Sequence, residues 1–316
     1  MNHTADAVTM PADWAPIWSS MLRVRAALAG SDGTPPSSAA AAVDGLAWRG
    51  AAGWHVKGDC SAATAALFAV YKPLLDAATS SARPWLVAQL GQSLDGCIAT
   101  ASGDSHYVTG PQSLLHLHRL RALCDAVLVG AGTVAADDPQ LTTRRVPGSH
   151  PSRIVLDPAV RLDGRARVLR DGQAPTLWLC DARHRERAQA LLADAGAGAT
   201  TRVLGLPGLL GGDGGLVPAV LVGALAAAGL RVIFVEGGGV TVSRFLAAGC
   251  LDRLHLVIAP VLIGAGRRGL QLPPRAAMGD CLRPPAQVLT LGEDRLWDLD
   301  LGPSKYSLTS SEAVSP

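Results

Sequence analysis

Two segments of the sequence combine glycine with side chains that can hold an anion or move a proton. In the first, Glu236 precedes three glycines that separate an apolar run at 232–235 from a helical pattern starting at 240. Glycines at such a turn let the backbone approach a ligand, and the N-terminus of the following helix offers unpaired N–H groups to an anion. Thr241 and Ser243 add hydroxyl groups. The segment lacks the G-x-G-x-x-G pattern, so a tight turn without a ligand is an equally simple interpretation.

The second segment starts at Gly130 and ends in two adjacent carboxylates, Asp137 and Asp138, followed by Pro139. Proline disfavours helical backbone at the residue before it, so a short helix is predicted to end here. One carboxylate placed in a cleft can serve as a general acid or accept a hydroxyl hydrogen bond. Ordinary loop polarity is the alternative.

Two further features have simple structural explanations. The Asp-Gly step in Ser93-Leu-Asp-Gly96 is typical of a hairpin turn. A helix is predicted over 111–124, because Thr109 and Gln112 have capping-box spacing and Pro111 lies in the first turn. Arg121 lies near the C-terminus of that helix, where a cation interacts favourably with the helix dipole.

The composition excludes several function classes. The chain has 316 residues, 48% of them hydrophobic and 17% charged, with a net charge of +2, too balanced to indicate nucleic-acid binding. Its only lysines are Lys57, Lys72 and Lys305, so a P-loop is excluded and Schiff-base catalysis is disfavoured. Phosphate and carboxylate recognition therefore falls to arginine.

We predict no metal site and no membrane span. The six cysteines form no C-x-x-C pair, and His116 and His118 point in different directions on a helix. The H-x-E spacing of His184 and Glu186 lacks the cysteine pair that zinc deaminases need. The longest apolar run, 216–230, is shorter than a bilayer requires, and the N-terminus does not look like a signal peptide. A cytoplasmic protein is therefore expected.

Alternating strand and helix patterns predict an α/β domain. Short continuous apolar runs fit strands that are buried on both faces of a parallel or mixed sheet. The predicted strands are 85–90, 126–129, 153–156, 176–179 and 232–235, with a closing antiparallel pair at 287–291 and 296–301. The predicted helices are 111–124, 183–195, 217–229 and 240–248.

The chain is divided into three parts on these patterns. Residues 1–83 are an N-terminal extension, with an amphipathic helix from Trp14, a low-complexity linker at 31–42 and an alanine-rich helix at 61–78. Residues 84–302 form the α/β domain, and 303–316 a C-terminal tail. The extension is expected to be a structural addition.

Taken in order, the motifs resemble the reductase domain of the bifunctional deaminase–reductase of bacterial riboflavin biosynthesis. Each motif is weak alone, and their order and spacing carry the resemblance across about 84–302. The first motifs are Ser93-Leu-Asp-Gly96, Gly103-x-Ser105-x-Tyr107-x-Thr109, Leu120-Arg121-Ala122 and Asp125-Ala-Val-Leu-Val-Gly130. Next come Gly132-Thr133-Val134, Asp137-Asp138-Pro139-x-Leu141-Thr142, Arg144, Val235-Glu-Gly-Gly238, Phe245-Leu246, Leu251-Asp252, Ala259-Pro260 and Gly264.

The resemblance implies a dihydrofolate-reductase-like mixed sheet flanked by helices, and NADPH as hydride donor. It implies reduction of the ribosyl group of 5-amino-6-(5-phosphoribosylamino)uracil to ribityl, through a ring-opened imine, and a homodimer. Asp137 is the candidate for assisting proton or hydride transfer. The residues implied to hold the substrate are Ser105, Arg121, Leu141, Arg144 and Glu236, with the arginines on the phosphate. Those implied to contact NADPH are Gly91, Tyr107, Thr133, Asp137, Gly238, Gly239, Val240, Thr241, Val242, Ser243 and Arg244.

Departures from the family pattern keep other functions open. Cys97 stands where the family usually carries a basic residue, and Tyr107 replaces a usual tryptophan. Residues 1–83 are too short for the deaminase half and lack its metal ligands. The alternatives are a reductase of a related heterocycle, such as a dihydropterin, and a non-catalytic nucleotide-binding subunit. Paired arginines argue against the first, and retention of Asp137 and Glu236 argues against the second.

Overall fold

The computed structural model describes residues 10–29, 42–105, 108–196 and 198–302. The α-helices are α1 (Trp14–Leu28), α2 (Ala62–Ser80), α3 (Pro111–Leu123), α4 (Ala131–Asp137), α5 (Arg167–Arg170), α6 (Arg185–Asp194), α7 (Pro218–Ala227) and α8 (Gly239–Ala247). The strands of the N-terminal part are β1 (Ala42–Val43), β2 (Leu46–Trp48) and β3 (Trp54–Val56). The remaining strands are β4 (Trp85–Ser93), β5 (Cys97–Ala99), β6 (Ala126–Gly130), β7 (Ser152–Leu156), β8 (Thr176–Asp181), β9 (Thr201–Leu206), β10 (Val232–Glu236), β11 (Arg253–Ala259), β12 (Arg267–Arg268), β13 (Ala286–Leu291) and β14 (Asp294–Asp300).

A mixed sheet organises the fold, as expected for an α/β domain. Within the described residues it has nine strands in the order β13-β14-β11-β4-β10-β6-β7-β8-β9. All neighbours from β11 to β9 are parallel, whereas β14 pairs antiparallel with β11 and β13. The predicted strands and the closing antiparallel pair are confirmed. The predicted set lacked β5, β9, β11, β12 and the small sheet β1-β2-β3, because their segments are short or lack a clear apolar pattern.

The described part of the N-terminal extension packs on one face of this sheet. Met21 of α1 and Leu74 of α2 are fully buried in the same apolar cluster as Val87 and Phe234 of the central strands. The helices predicted from Trp14 and over 61–78 are thus confirmed, and they cover the face that α3 shares. None of the helices in the described ranges is long and apolar enough to span a membrane.

A buried chain of polar groups joins the extension to the sheet. The Tyr71 hydroxyl of α2 lies 2.7 Å from Nδ1 of His116 in α3, and Nε2 of His116 lies 3.0 Å from Nδ1 of His255 in β11. His255 Nε2 in turn faces Oδ1 of Asp298 in β14 at 3.3 Å. One assignment of donors suits the Asp298 carboxylate, which only accepts: Tyr71 donates to His116 Nδ1, and His116 Nε2 donates to His255 Nδ1. Burial and the neighbouring His255 lower the pKa of His116 well below its usual value, so His116 is neutral.

The start of α3 corrects one prediction. The N-cap is Gly110, and no capping box joins Thr109 to Gln112. Instead, Oδ2 of Asp294 accepts hydrogen bonds from the Gly110 N–H at 2.8 Å and from the Ser113 hydroxyl at 2.5 Å. A carboxylate at a helix N-terminus satisfies an orphan donor and is favoured by the dipole. Local spacing could not reveal this cap, because Asp294 comes from the closing strand pair.

Candidate functional site

Several of the predicted site residues lie where the parallel strands end. The turns β6–α4 and β10–α8 leave the sheet at its carboxyl edge, next to the end of β4. Ligands in open α/β sheets bind in the crevice outside the carboxyl ends of the strands. This edge is therefore the place to look for a cofactor and a substrate.

Close packing explains the glycines of the β10–α8 turn. Gly238 has φ +70° and forms the N-cap of α8, where no side chain caps the helix. A Cβ at Gly238 would lie 2.6 Å from the Thr133 hydroxyl oxygen of α4, and a Cβ at Gly239 would collide with the Gly269 carbonyl oxygen. Only glycine fits at both positions. The turn leaves the start of α8, with its exposed Val240, available to an anion.

The residues predicted to contact a cofactor do not all lie at the carboxyl edge. Gly91, Thr133, Gly238, Gly239, Val240 and Thr241 lie at or next to the carboxyl edge. Val242 is fully buried in the core, and the Ser243 hydroxyl accepts a hydrogen bond from the Gln271 N–H at 2.8 Å. Arg244 is exposed in the second turn of α8. Tyr107 lies outside the described residues.

Two of the predicted substrate residues form an ion pair. Arg121 Nε lies 2.8 Å from Glu236 Oε2, and Arg121 Nη2 lies 2.5 Å from Glu236 Oε1. Arg121 Nη1 donates to the Thr142 carbonyl oxygen at 2.9 Å. The exposed fractions of the Arg121 and Glu236 side chains are only 6% and 13%. Arg121 thus fixes the carboxylate that ends β10, a role that the sequence interpretation did not include.

Of the other predicted substrate residues, Leu141 and Arg144 lie near this pair. Leu141 is buried with φ +60°, an unusual value for leucine, and the next residue, Thr142, accepts from Arg121. Arg144 is exposed, and its Nη1 donates to the Thr142 hydroxyl at 3.0 Å. Both arginines thus donate to Thr142, and partial burial and the charge of Arg121 lower the Arg144 pKa. Ser105 is half-buried in the loop after β5, and the described contacts do not tie it to the pair.

His118 supports the segment that carries Arg144. Its Nδ1 accepts a hydrogen bond from the Arg144 backbone N–H at 3.0 Å, which requires a neutral Nδ1. Burial and the charge of Arg121 lower the His118 pKa to about 3. From the sequence, His118 was a candidate only for metal binding. No group of three or more metal-binding side chains exists within the ranges that the structure describes.

Asp137 is the last residue of α4 and is exposed. Residues four apart on a helix share a face, so Asp137 lies one turn beyond Thr133 on the side that meets the glycine turn. Asp138 follows as the C-cap with φ +38°, and its Oδ1 accepts from the Arg167 N–H at 2.7 Å. The structure thus gives the two adjacent carboxylates different surroundings.

Gln89 is a polar residue at this edge that the sequence analysis missed. It stands in β4 directly beside Glu236 of β10 and His255 of β11, and its side chain is 6% exposed. Its Oε1 is buried and has no hydrogen-bond partner among the described residues. Leaving such an oxygen unpaired costs about 1–3 kcal/mol. A ligand that donates a hydrogen bond to this oxygen on binding would explain why the glutamine stands here. A glutamine inside an otherwise apolar strand was the available signal.

The turn after β4 shapes the near side of the site. Gly96 N–H donates to the Ser93 carbonyl, as a tight turn requires. The Asp95 carboxylate accepts from the Ser93 hydroxyl and from the Gly264 N–H at 2.6 Å, contacts that lower its pKa to about 2. Strand β5 pairs with β12 instead of returning along β4. Cys97 is fully buried under this loop, so it does not offer a surface contact where the family carries a basic residue.

Comparison with known proteins identifies the family of this arrangement. The family model of the RibD C-terminal domain matches residues 84–281. The riboflavin biosynthesis protein RibD of Bacillus amyloliquefaciens is 37% identical over 188 residues, which cover 57% of this chain and 47% of that protein. The chain thus spans about half the length of that relative. The 2,5-diamino-6-ribosylamino-4(3H)-pyrimidinone 5′-phosphate reductase of Methanothermobacter thermautotrophicus is 34% identical over 227 residues, 67% of this chain and 95% of that protein.

Solved structures agree with this assignment. Acinetobacter baumannii RibD superposes with a TM-score of 0.59 at 25% identity, covering 75% of this chain and 64% of that one. The riboflavin biosynthesis reductase Rib7 of Saccharomyces cerevisia has a TM-score of 0.51 at 19% identity, covering 69% of this chain and 90% of that one, and shares the fold. The match of the family model over more than half of the residues decides the assignment: the chain belongs to the RibD C-terminal domain family.

Proposed function

We propose that the protein is an NADPH-dependent reductase that converts the ribosyl group of a phosphoribosylamino-pyrimidine to ribityl in riboflavin biosynthesis. The observation that carries the proposal is the Arg121–Glu236 pair, set between the glycine turn and the exposed Arg144. The N-terminus of α8, which can bind an anion, and the segment that carries Arg144 thus lie on either side of the Glu236 carboxylate. Membership of the RibD C-terminal domain family supports a reductase with a nicotinamide cofactor.

The carboxyl edge fits a nicotinamide dinucleotide. The uncapped start of α8 would receive its pyrophosphate, and the glycines at 238 and 239 would let the backbone approach. Thr133 and Thr241 would add hydroxyl donors, and Gly91 would leave room beside β4. Bound NADPH would supply the hydride. Val242 and Ser243 would support the turn from the core instead of touching the cofactor.

The substrate would occupy the space between Glu236 and Arg144. Glu236, held in place by Arg121, would accept hydrogen bonds from the pyrimidine ring. Arg144 would grip the phosphate, and Ser105 would add a hydroxyl donor. Leu141 would line the apolar wall, and the unpartnered Gln89 Oε1 would accept from a substrate N–H or O–H group.

The chain's own residues would mainly position the two reactants and exclude water. The acceptor is the first sugar carbon of the ring-opened imine, and the sugar oxygen released by ring opening must gain a proton. Asp137 is the candidate for handling that proton, because it shares a helix face with Thr133. Hydride transfer itself needs no further reactive side chain.

Two pyrimidines remain candidate substrates. The expected one is 5-amino-6-(5-phosphoribosylamino)uracil, the deaminated form. The Methanothermobacter relative, 95% of whose length is covered, is named for the diamino form. The two differ in one ring amino group, which would face Glu236 or Gln89.

Steady-state kinetics with both pyrimidines tests the proposal. NADPH oxidation is followed at the nicotinamide absorbance, and the ribityl product is identified by mass spectrometry. We expect turnover with at least one pyrimidine. A dihydropterin that is reduced while both pyrimidines are inert would instead favour the heterocycle alternative. Failure of the protein to bind NADPH would favour the non-catalytic alternative. The homodimer and the cytoplasmic location remain predictions, to be tested by light scattering and by cell fractionation.

A further inference from the structure

Helix α1 of the N-terminal extension contacts the segment that carries Arg144. Residues 139–151 contain no helix or strand, so their conformation depends on side chains of the neighbouring elements. The indole Nε1 of Trp18 donates a hydrogen bond to the Pro147 carbonyl oxygen at 3.2 Å. Trp18 is buried, and this contact satisfies the single donor of its side chain. The extension precedes residues 84–281, which the family model matches, so this contact comes from outside the matched region.

Close packing at Gly148 places the same segment between α1 and α3. Gly148 has φ +144°, a value that favours glycine. A Cβ at this position would lie 2.6 Å from the Ala122 Cβ of α3 and 3.3 Å from the Leu22 Cδ2 of α1. Val146 packs against the apolar cluster that includes Trp18. Both helices therefore determine where the segment lies.

Two hydrogen bonds close residues 143–150 into one small loop, which we call the Arg144 loop. The Thr143 hydroxyl donates to the Ser149 carbonyl oxygen at 3.0 Å, and the Thr143 N–H donates to His150 Nδ1 at 3.3 Å. Arg144 follows the residue that closes the loop, and Pro147 lies near its middle. A displacement of Pro147 would therefore move the whole loop together with the Arg144 side chain.

The indole of Trp18 is itself held firmly. The ring centroids of Trp14 and Tyr71 each lie 6.1 Å from that of Trp18. Met21 and Val24, on the same helix, are almost completely buried in the cluster that covers the sheet. The hydrogen bond to the Pro147 carbonyl oxygen thus joins the Arg144 loop to a well-packed part of the molecule.

We propose that the N-terminal extension is part of the substrate site, and that Trp18, through Pro147, holds Arg144 in position for the substrate phosphate. The proposal rests on the proposed function in taking Arg144 to bind that phosphate. Trp18 is a positioning residue, because it acts through the Arg144 loop. From α3, His118 accepts the Arg144 N–H at 3.0 Å, so loss of the Trp18 hydrogen bond would loosen the loop without releasing it. The extension, expected from the sequence to be a structural addition, thereby gains a role in substrate binding.

Steady-state kinetics of Trp18→Phe tests this role. Phenylalanine keeps an aromatic ring for packing but has no N–H to donate. We expect the pyrimidine KM to rise by about three- to tenfold, the range that corresponds to the loss of one hydrogen bond. The kcat and the NADPH KM should stay within about twofold of wild type. An unchanged pyrimidine KM in Trp18→Phe would overturn the proposal.

Trp54→Phe is the matched control. Trp54 is buried in the same extension, and its Nε1 donates to the Thr79 hydroxyl oxygen at 2.8 Å. The substitution removes the same kind of indole hydrogen bond, but the lost contact lies within the extension. The control should therefore keep the wild-type pyrimidine KM. An equal rise of this KM in both variants would show a general loss of stability and refute the specific role of Trp18.

A double variant tests whether Trp18 acts through Arg144. Arg144→Ala alone should raise the pyrimidine KM, because the phosphate loses its cation. When Trp18→Phe is added to Arg144→Ala, we expect a further rise of less than about twofold, since both changes affect one contact. Effects that multiply in the double variant would show that Trp18 acts by another route and would contradict the proposal.

Hydrogen exchange separates this proposal from the proposed function, because it needs no substrate. Peptides that cover residues 142–150 should exchange about threefold faster or more in Trp18→Phe, and at the wild-type rate in Trp54→Phe. Wild-type exchange of these peptides in Trp18→Phe would overturn the proposal. If neither pyrimidine reacts but exchange rises only in Trp18→Phe, the proposed function fails and the positioning of the Arg144 loop by Trp18 stands.

Discussion

Arg121 and Glu236 are joined by two parallel hydrogen bonds at the carboxyl edge of the sheet, 2.8 Å from Nε to Oε2 and 2.5 Å from Nη2 to Oε1. Both side chains are largely shielded from solvent. Removing either one should therefore lower stability, because the other charge would be left buried without a partner. Two residues expected to bind different parts of the substrate therefore act as one unit.

Removing the arginine of this pair should affect the substrate more than the cofactor. We expect Arg121→Ala to raise the pyrimidine KM by about tenfold or more, because Glu236 loses its orientation. The NADPH KM should change by less than about twofold. The free energy of unfolding should fall by about 3–5 kcal/mol, since a buried carboxylate is left unpaired.

A second ion pair provides the control for stability. Arg25 of α1 pairs with Asp125, which precedes β6 at the amino edge of the sheet. Arg25→Ala should also lower stability in urea titrations, but it should leave the pyrimidine KM unchanged. Equal increases of both KM values in Arg121→Ala would contradict the role of Arg121 at the substrate.

Asp137→Asn should lower kcat with little effect on folding. Asparagine keeps the size of the exposed side chain but cannot exchange a proton, so a loss of about tenfold to a hundredfold is expected. Asp194→Asn, at the end of the exposed helix α6, is the matched control and should be neutral. Wild-type turnover in Asp137→Asn would remove this carboxylate from the chemistry.

Gln89→Leu should separate function from stability. Leucine has a similar size and removes a buried amide oxygen that lacks a partner, so the free energy of unfolding should stay constant or rise by about 1 kcal/mol. The pyrimidine KM should rise by about tenfold, because the substrate loses an acceptor. A destabilised variant with an unchanged KM would show that Gln89 has a structural role instead.

Stability should depend on pH through His116 and His118. Burial lowers both folded pKa values, that of His118 to about 3, whereas the unfolded side chains titrate near 6.5. Their contribution is therefore complete above about pH 6.5 and is lost as the pH falls below it, by up to about 1.4 kcal/mol per pH unit for each histidine.

Urea titrations between pH 8 and pH 5 would measure this slope. His116→Gln should reduce the slope by the share of one histidine, whatever its effect on absolute stability. An identical slope in wild type and His116→Gln would contradict a neutral, buried His116.

Gly239→Ala should weaken cofactor binding. Its Cβ would collide with the Gly269 carbonyl, so the β10–α8 turn or the segment after β12 must move. We expect the NADPH Kd to rise by about tenfold or more, measured by nicotinamide fluorescence. Gly223→Ala in α7 meets no atom within 4 Å and should stabilise the helix by about 0.5–1 kcal/mol without changing that Kd. Wild-type affinity in Gly239→Ala would show that the turn does not bind the cofactor.

Periodicity was sufficient to locate the main elements of the fold. The apolar runs at 126–129 and 232–235 became β6 and β10, because strands buried on both faces leave a continuous apolar signal. The capping of α3 and the buried His116–His255 contact depend on residues more than 130 positions apart. No local pattern carries such information.

The sequence suggested candidate members of the site but not how they pair. Arg121 and Glu236 were both named, yet their contact arises only when α3 packs across the end of β10. The hydrogen bond that the Ser243 hydroxyl accepts from the Gln271 N–H was likewise not predictable, because it joins α8 to a segment 28 positions away. Gln89 was missed because its neighbours in space lie on other strands.

Transfer of a hydride to the sugar carbon is the central claim, and isotope transfer tests it most directly. The protein would be mixed with each phosphoribosylamino-pyrimidine and with NADPH deuterated at the transferable position of the nicotinamide. We predict a ribityl product that carries one deuterium at the first sugar carbon. Bound NADPH with no deuterium at that carbon for either pyrimidine would contradict the account.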